Sequence, residues 1–120
     1  MFAHDLHVGL ALATIVTVAA AAAEAAVRLV TARPPGRFAA ALVPVTMVAV
    51  GMTAAGGLAM LARGERPSEF LHFIYATLAF VLIPLGDSLA ARTTPRKRAT
   101  ARFVSAVAAL GVIARLFATG

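Results

Sequence analysis

The sequence predicts an all-α integral membrane protein, a four-helix bundle that crosses the bilayer four times. Of its 120 residues, 61% are hydrophobic and only 13% are charged, about half the charged share of an average soluble domain. Four long apolar runs without strand-like alternation occupy most of the chain. Because so few charges cannot cover a water-soluble surface, we expect the lipid bilayer to be the main environment of the chain.

Each apolar run is bounded by residues that end or begin a helix. The first run stops at Pro34-Pro35-Gly36, and no Lys or Arg precedes it, which favours a membrane span over a cleaved signal peptide. The third run is expected to begin with Ser68 as its N-cap, and a basic loop at 92–102 precedes the short fourth run. The predicted spans are about 6–30, 38–61, 68–91 and 103–118.

Lys and Arg are unequally divided between the two sides of the predicted bundle. One side has eight of them: Arg28, Arg33, Arg37, Arg92, Arg96, Lys97, Arg98 and Arg102. The other side has three: Arg63, Arg66 and Arg115. By the positive-inside rule the richer side faces the cytoplasm, so both chain ends face outward (N-out, C-out). The net charge of +6 is therefore explained by the basic residues that set the orientation of the spans. For this reason we expect no nucleic-acid partner.

An intramembrane ion pair is predicted within the first span. Glu24 and Arg28 are four residues apart on one helix face, in the order that favours pairing. A lone carboxylate is costly inside a bilayer, so we expect the pair to face the bundle and to neutralise itself. Asp87 near the inner end of the third span is a further partner for Arg28 or for the residues around Arg92. A proton relay through Glu24 is the alternative interpretation.

The three histidines all fall at the outer ends of spans. His7 and His72 each lie about one turn inside a helix, so their rings are expected at similar depth on facing helices. Two neutral imidazoles on facing helices are how a bundle supplies both axial ligands of a haem iron. Arg66 and Arg115 on the same side would neutralise the haem propionates. The pattern therefore predicts a haem b site at the outer end.

Three other interpretations of this cluster remain open. His4 and His7 are three residues apart, as are Glu69 and His72, which suits a divalent metal held by imidazoles and a carboxylate. A quinone headgroup held by an imidazole and the Tyr75 hydroxyl is a further option. In the third interpretation, histidine and tyrosine simply suit a membrane interface, where one edge of the ring is wet.

Motifs of other catalytic classes are missing from the sequence. There is no Gly-rich phosphate loop, no zincin helix and no Gly-x-Ser-x-Gly elbow. The lack of cysteine excludes iron–sulfur clusters and thiol catalysis. We therefore expect no catalytic activity of the chain's own, and we expect a membrane-protein partner or a homo-oligomer.

The third span resembles the first core helix of cytochrome b561 proteins. The matching stretches are 71–76 (LHFIYA), 83–86 (IPLG) and 90–92 (AAR), since in that family a haem-ligating His is followed by Pro-x-Gly and Ala-Arg. The resemblance implies His72 as an axial ligand. Phe73 replaces the family's usual glycine, and the fourth span has no histidine, so at most one haem, on the outer side, is implied.

The Leu-His-x-x-Tyr start of this span also resembles small four-span bacterial membrane proteins, which implies the architecture and nothing about chemistry. We expect the chain to lie in a bacterial cytoplasmic membrane. The sequence thus predicts a small accessory or redox-associated membrane subunit, with one haem b between His7 and His72. The alternatives are a non-catalytic structural subunit of a membrane complex and a small transporter that oligomerises around Glu24.

Overall fold

A computed structural model describes residues 2–119 of the protein. Its helices are α1 (Phe2–Thr31), α2 (Arg37–Ala62), α3 (Leu71–Ala90) and α4 (Pro95–Thr119). The shortest, α3, has 20 residues, which corresponds to about 30 Å of helix. All four are long and apolar enough to cross a membrane, and they form a bundle measuring 48 × 23 × 20 Å. The protein is thus an all-α, multi-pass integral membrane protein.

The helices form an up-and-down bundle in which neighbours along the chain pack together. α1 packs against α2 and α4, whereas α3 packs extensively against α4 and over a smaller area against α2. Between the diagonal pairs, α1 with α3 and α2 with α4, the described residues make no close backbone approach. The two histidine-bearing helices are therefore parallel and lie diagonally across the bundle.

Each helix buries one narrow stripe of mostly small side chains. Most buried positions follow one another at intervals of three or four residues, the repeat of a single helix face. In α1 and α3 they are Thr14, Val18, Ala22, Ala25, Arg28, Ala79, Ile83, Gly86 and Ala90. Small residues let backbones approach closely, which drives helix association in lipid, while the large apolar side chains outside the stripes suit contact with acyl chains.

α3 and α4 pack closely together at Gly86. A Cβ atom there would lie 2.8 Å from the Cβ of Ser105 and 3.3 Å from the carbonyl oxygen of Ala101. We expect Gly86→Ala to lower the unfolding free energy by about 2 kcal/mol, since overpacking forces the helices apart. Thermal unfolding in detergent measures this loss.

A matched control is Gly51→Ala, because a Cβ at Gly51 has no atom within 4 Å. That variant should unfold at or above the wild-type midpoint, as alanine is the better helix former. Adding Ser105→Gly to Gly86→Ala should recover most of the lost stability. A Gly86→Ala midpoint equal to that of wild type would contradict this close packing.

The fourth helix begins at Pro95 and not near 103. Proline suits the first position of a helix, and the hydroxyl of Thr94 accepts a weak hydrogen bond from a backbone N–H one turn on, as an N-cap does. Arg98 donates to the carbonyl of Ala91, at the end of α3. The basic segment thus forms the first turns of α4 instead of a loop, and it also caps α3.

The third helix begins at Leu71, so Ser68 is not its N-cap. The Ser68 hydroxyl instead donates to the carbonyl oxygen of Thr119, 3.0 Å away. The N–H of Glu69 donates to the same oxygen over 3.3 Å. These bonds tie the α2–α3 turn to the end of α4 and satisfy one of its terminal carbonyls.

Candidate functional site

His7 is held against α2 by a hydrogen bond and by two glycines. Its Nδ1 lies 3.1 Å from the carbonyl oxygen of Thr53. Because a carbonyl can only accept, Nδ1 carries the hydrogen, and Nε2 keeps the lone pair of the neutral ring. Gly56 and Gly57 leave room for the ring, since a Cβ at Gly57 would lie 3.3 Å from its Cε1. The structure thus orients His7 with one nitrogen able to bind a ligand.

His72 lies at the start of α3, half-buried within the same end of the bundle. The backbone of Leu116 in α4 lies near its ring without forming a hydrogen bond of normal geometry to the buried Nδ1, and His7 is close enough to act on the ring electrostatically. Its Nδ1 is buried and has no hydrogen-bond partner among residues 2–119. An unpaired buried polar atom costs about 1–3 kcal/mol, so a ligand at this nitrogen would stabilise the fold.

The two histidines occupy equivalent places in two similar hairpins. Leu-His-x-x-x-Ala occurs at Leu6 in α1 and again at Leu71 in α3. The buried positions Thr14, Val18 and Ala25 follow His7 at the same intervals as Ala79, Ile83 and Ala90 follow His72. In each hairpin the histidine also interacts with the backbone of the following helix. Two such hairpins in succession have the pattern of a parallel repeat, whose members are related by an axis along the membrane normal.

Sequence reasoning did not find this repeat or the partners of His7. The repeated Leu-His-x-x-x-Ala is a detectable signal, and it would have identified His7 and His72 as a related pair. The adjacent Gly56 and Gly57 do predict a close helix contact in α2, and the His7 ring lies against them. No sequence signal indicates Thr53 as the acceptor, because the face that α2 turns toward α1 depends on how the helices pack.

The remaining residues of the predicted cofactor site lie at the histidine end of the bundle. Tyr75 is half-buried about one turn beyond His72 in α3. Arg66 lies in the α2–α3 turn and Arg115 near the end of α4, and both are exposed. The structure therefore places two exposed cations at this end of the bundle.

The residues of the predicted metal site are not gathered together. His4 and Glu69 are exposed, and residues 2–119 contain no group of three or more potential metal ligands. His4, His7, Glu69 and His72 consequently do not form the clustered donor set that a divalent metal needs.

The opposite end of the bundle holds two ion pairs. Arg28 Nε lies 2.6 Å from Glu24 Oε1 within α1. Asp87 pairs with Arg102 in α4, with Nε 2.6 Å from Oδ1, and not with Arg28 or with the residues around Arg92. Arg102 reaches α3 because the early start of α4 places it on a helix packed against Asp87.

Two cavities lie at the ion-pair end. One, of about 20 Å³, is lined by Glu24, Arg102 and Ser105 among mainly apolar neighbours, and it is large enough for a single water molecule. The other is an open groove of about 500 Å³ beside the last turns of α1. Glu24 borders both of them.

Comparison with protein-family models, curated proteins and solved structures finds no match to this chain. The likeness of α3 to the first core helix of cytochrome b561 proteins therefore stays a prediction. The interpretation of the histidine site rests on its own geometry.

Proposed function

We propose that the chain is a small accessory membrane subunit that holds one haem b between His7 and His72 and takes part in electron transfer. The observation that carries the proposal is the buried, unpartnered Nδ1 of His72. It lies on the helix diagonally opposite His7, whose Nε2 is left free by the bond to Thr53. Imidazoles on two helices of a bundle are a common pair of axial ligands for haem iron.

The surrounding residues suit this role. The Thr53 carbonyl orients the His7 ring, as hydrogen-bonded carbonyls do for other ligating histidines. Arg66 and Arg115, exposed at this end, supply cations for two propionates. A bound haem would supply one-electron chemistry, while the protein sets its potential through the ligands and their burial.

A single site at one end implies a partner. All three histidines of the chain lie at the starts of α1 and α3, so the ion-pair end has none to hold a second haem. Electrons therefore cannot cross the bilayer through this chain alone. The proposed subunit exchanges them with another membrane protein, or with a second copy, on the histidine side, in a bacterial cytoplasmic membrane.

The absorbance spectrum of protein purified in detergent tests the proposal. After expression with ample haem, we expect a Soret band, an α-band that appears on reduction, and one haem per chain by extraction. A colourless preparation under these conditions would overturn the haem proposal and favour a non-catalytic structural subunit.

A small oligomeric transporter is the second candidate, because Glu24 borders both cavities at the ion-pair end. Membrane-embedded carboxylates next to cavities often mark ion pathways. Ion-coupled uptake into vesicles that contain the purified protein would support this candidate.

The orientation that we propose is N-out and C-out, with the ion-pair end in the cytoplasm. The natural sequence has no cysteine, so a single introduced cysteine is a unique label. In intact cells, a membrane-impermeant maleimide should label Glu65→Cys in the α2–α3 turn and should not label Thr94→Cys before α4. Both positions are exposed, so both should react after the membrane is permeabilised. The opposite labelling pattern would reverse the proposed orientation.

A further inference from the structure

The open groove at the ion-pair end combines an apolar wall with a charged end. It lies between the second half of α1, the turn after it and the start of α2, and its volume is about 500 Å³. The residues that line it are Ala20, Ala23, Glu24, Val27, Arg28, Thr31, Arg33, Pro34 and Phe38. We infer that this groove binds an anionic phospholipid, with the phosphodiester at the arginines and an acyl chain along the apolar wall.

Arg28 has donor capacity that the protein does not use. The residue is only 7% exposed, and its Nε contacts Glu24. Its Nη2 is buried and has no hydrogen-bond partner among the described residues. Guanidinium groups bind phosphate oxygens through paired N–H donors. A lipid phosphate beside Arg28 would use donors that the ion pair with Glu24 leaves over.

The charges of the groove match one phosphodiester. Glu24 offsets one of the two arginines, Arg28 and Arg33, so the lining carries one net positive charge. A phosphodiester carries one negative charge at neutral pH. Arg33 is exposed in the turn, so its side chain can adjust to the position of a lipid headgroup. Arg28 is instead buried and paired with Glu24.

The apolar wall suits an acyl chain. Ala20 and Ala23 leave a shallow channel along α1, and Val27 and Phe38 border it with large apolar surface that is more than half exposed. The groove also lies at the end of the bundle that carries most of the basic residues, where a lipid headgroup would be attracted electrostatically. A soluble phosphate would use the arginines but would leave this wall uncovered.

Lipid binding to the purified protein tests this inference. Native mass spectrometry, or the thermal midpoint in detergent, is measured while phosphatidylglycerol or phosphatidylcholine is added. We expect phosphatidylglycerol to bind more tightly. Arg33→Gln should weaken its binding about fivefold, the effect of one basic residue near an anionic lipid surface. Arg92→Gln, which removes an exposed arginine at the same end but outside the groove, is the matched control and should bind as wild type.

A second pair of variants tests the apolar wall. Ala23→Phe fills the groove, whereas Ala13→Phe adds the same bulk to an exposed position of α1 outside it. We expect the first to reduce phosphatidylglycerol binding at least fivefold and the second to leave it unchanged. Both replace exposed alanines, so neither should prevent folding.

Three outcomes would overturn the inference. Equal losses for Arg33→Gln and Arg92→Gln would indicate general attraction to the basic surface. Equal binding of phosphatidylglycerol and phosphatidylcholine would show that the arginines do not select an anionic headgroup. Stabilisation by inorganic phosphate that matches that by phosphatidylglycerol would identify a soluble anion as the ligand. None of these measurements depends on haem, since the groove and the histidines lie at opposite ends.

Discussion

Replacement of His72 with alanine is expected to abolish haem binding, with the Soret band of the purified protein falling to background. The variant removes one of two axial nitrogens, and the described residues offer no third histidine within the bundle to replace it, because His4 is exposed. His7→Ala should have the same effect, since the two rings act as a pair. The measurement is haem per chain, determined by extraction and by the reduced-minus-oxidised spectrum.

The matched control for these variants is His4→Ala. His4 lies on the same helix as His7, and at the same end, but it is exposed, so this variant should keep full haem content. Thermal unfolding of each apoprotein separates ligand loss from misfolding. A His72→Ala protein that folds and retains its spectrum would show that His72 is not a ligand.

Glu24→Gln is expected to lower the unfolding free energy by about 3 kcal/mol, because it leaves Arg28 buried without its counter-charge. The arginine is 7% exposed, and its contact with Glu24, at 2.6 Å, is its only salt bridge among the described residues. Thermal or denaturant unfolding in detergent measures the loss. The double variant Glu24→Gln/Arg28→Gln should recover much of it, since replacing both members leaves no unpaired charge.

The same variants discriminate between a structural and a transport role of Glu24. If the pair is structural, the double variant restores stability and no vesicle flux depends on residue 24. If Glu24 carries ions, uptake is lost in both the single and the double variant. A Glu24→Gln protein as stable as wild type would contradict the structural role of the ion pair.

The helices and the Glu24–Arg28 pair illustrate what the sequence predicts well. Apolar runs of about 20 residues identify spans because each helix satisfies its own backbone within the bilayer. The pair follows from helix geometry alone, since residues four apart share a face. Both are local properties, so no knowledge of the neighbouring helices is needed.

The start of α4 shows where the hydropathy pattern stops being informative. Residues 95–102 include four Lys or Arg residues, so a hydropathy criterion leaves this segment out of the span. Thr94 and Pro95 nevertheless begin the helix there, and Arg98 donates a hydrogen bond to a carbonyl at the end of α3. Hydropathy predicts where lipid begins, whereas helix ends depend on capping and on carbonyls that other helices leave unpaired.

The sequence by itself determined that the protein has four membrane helices, that its histidines cluster at one end and that its basic residues cluster at the other. Only the tertiary structure decided that His7 binds the Thr53 carbonyl, that Asp87 pairs with Arg102 and that His72 keeps an unpartnered nitrogen. The physical reason is that a helix forms from bonds within one segment. The partner of a side chain instead depends on the rotation and depth of the helix opposite, which small residues from several segments set together.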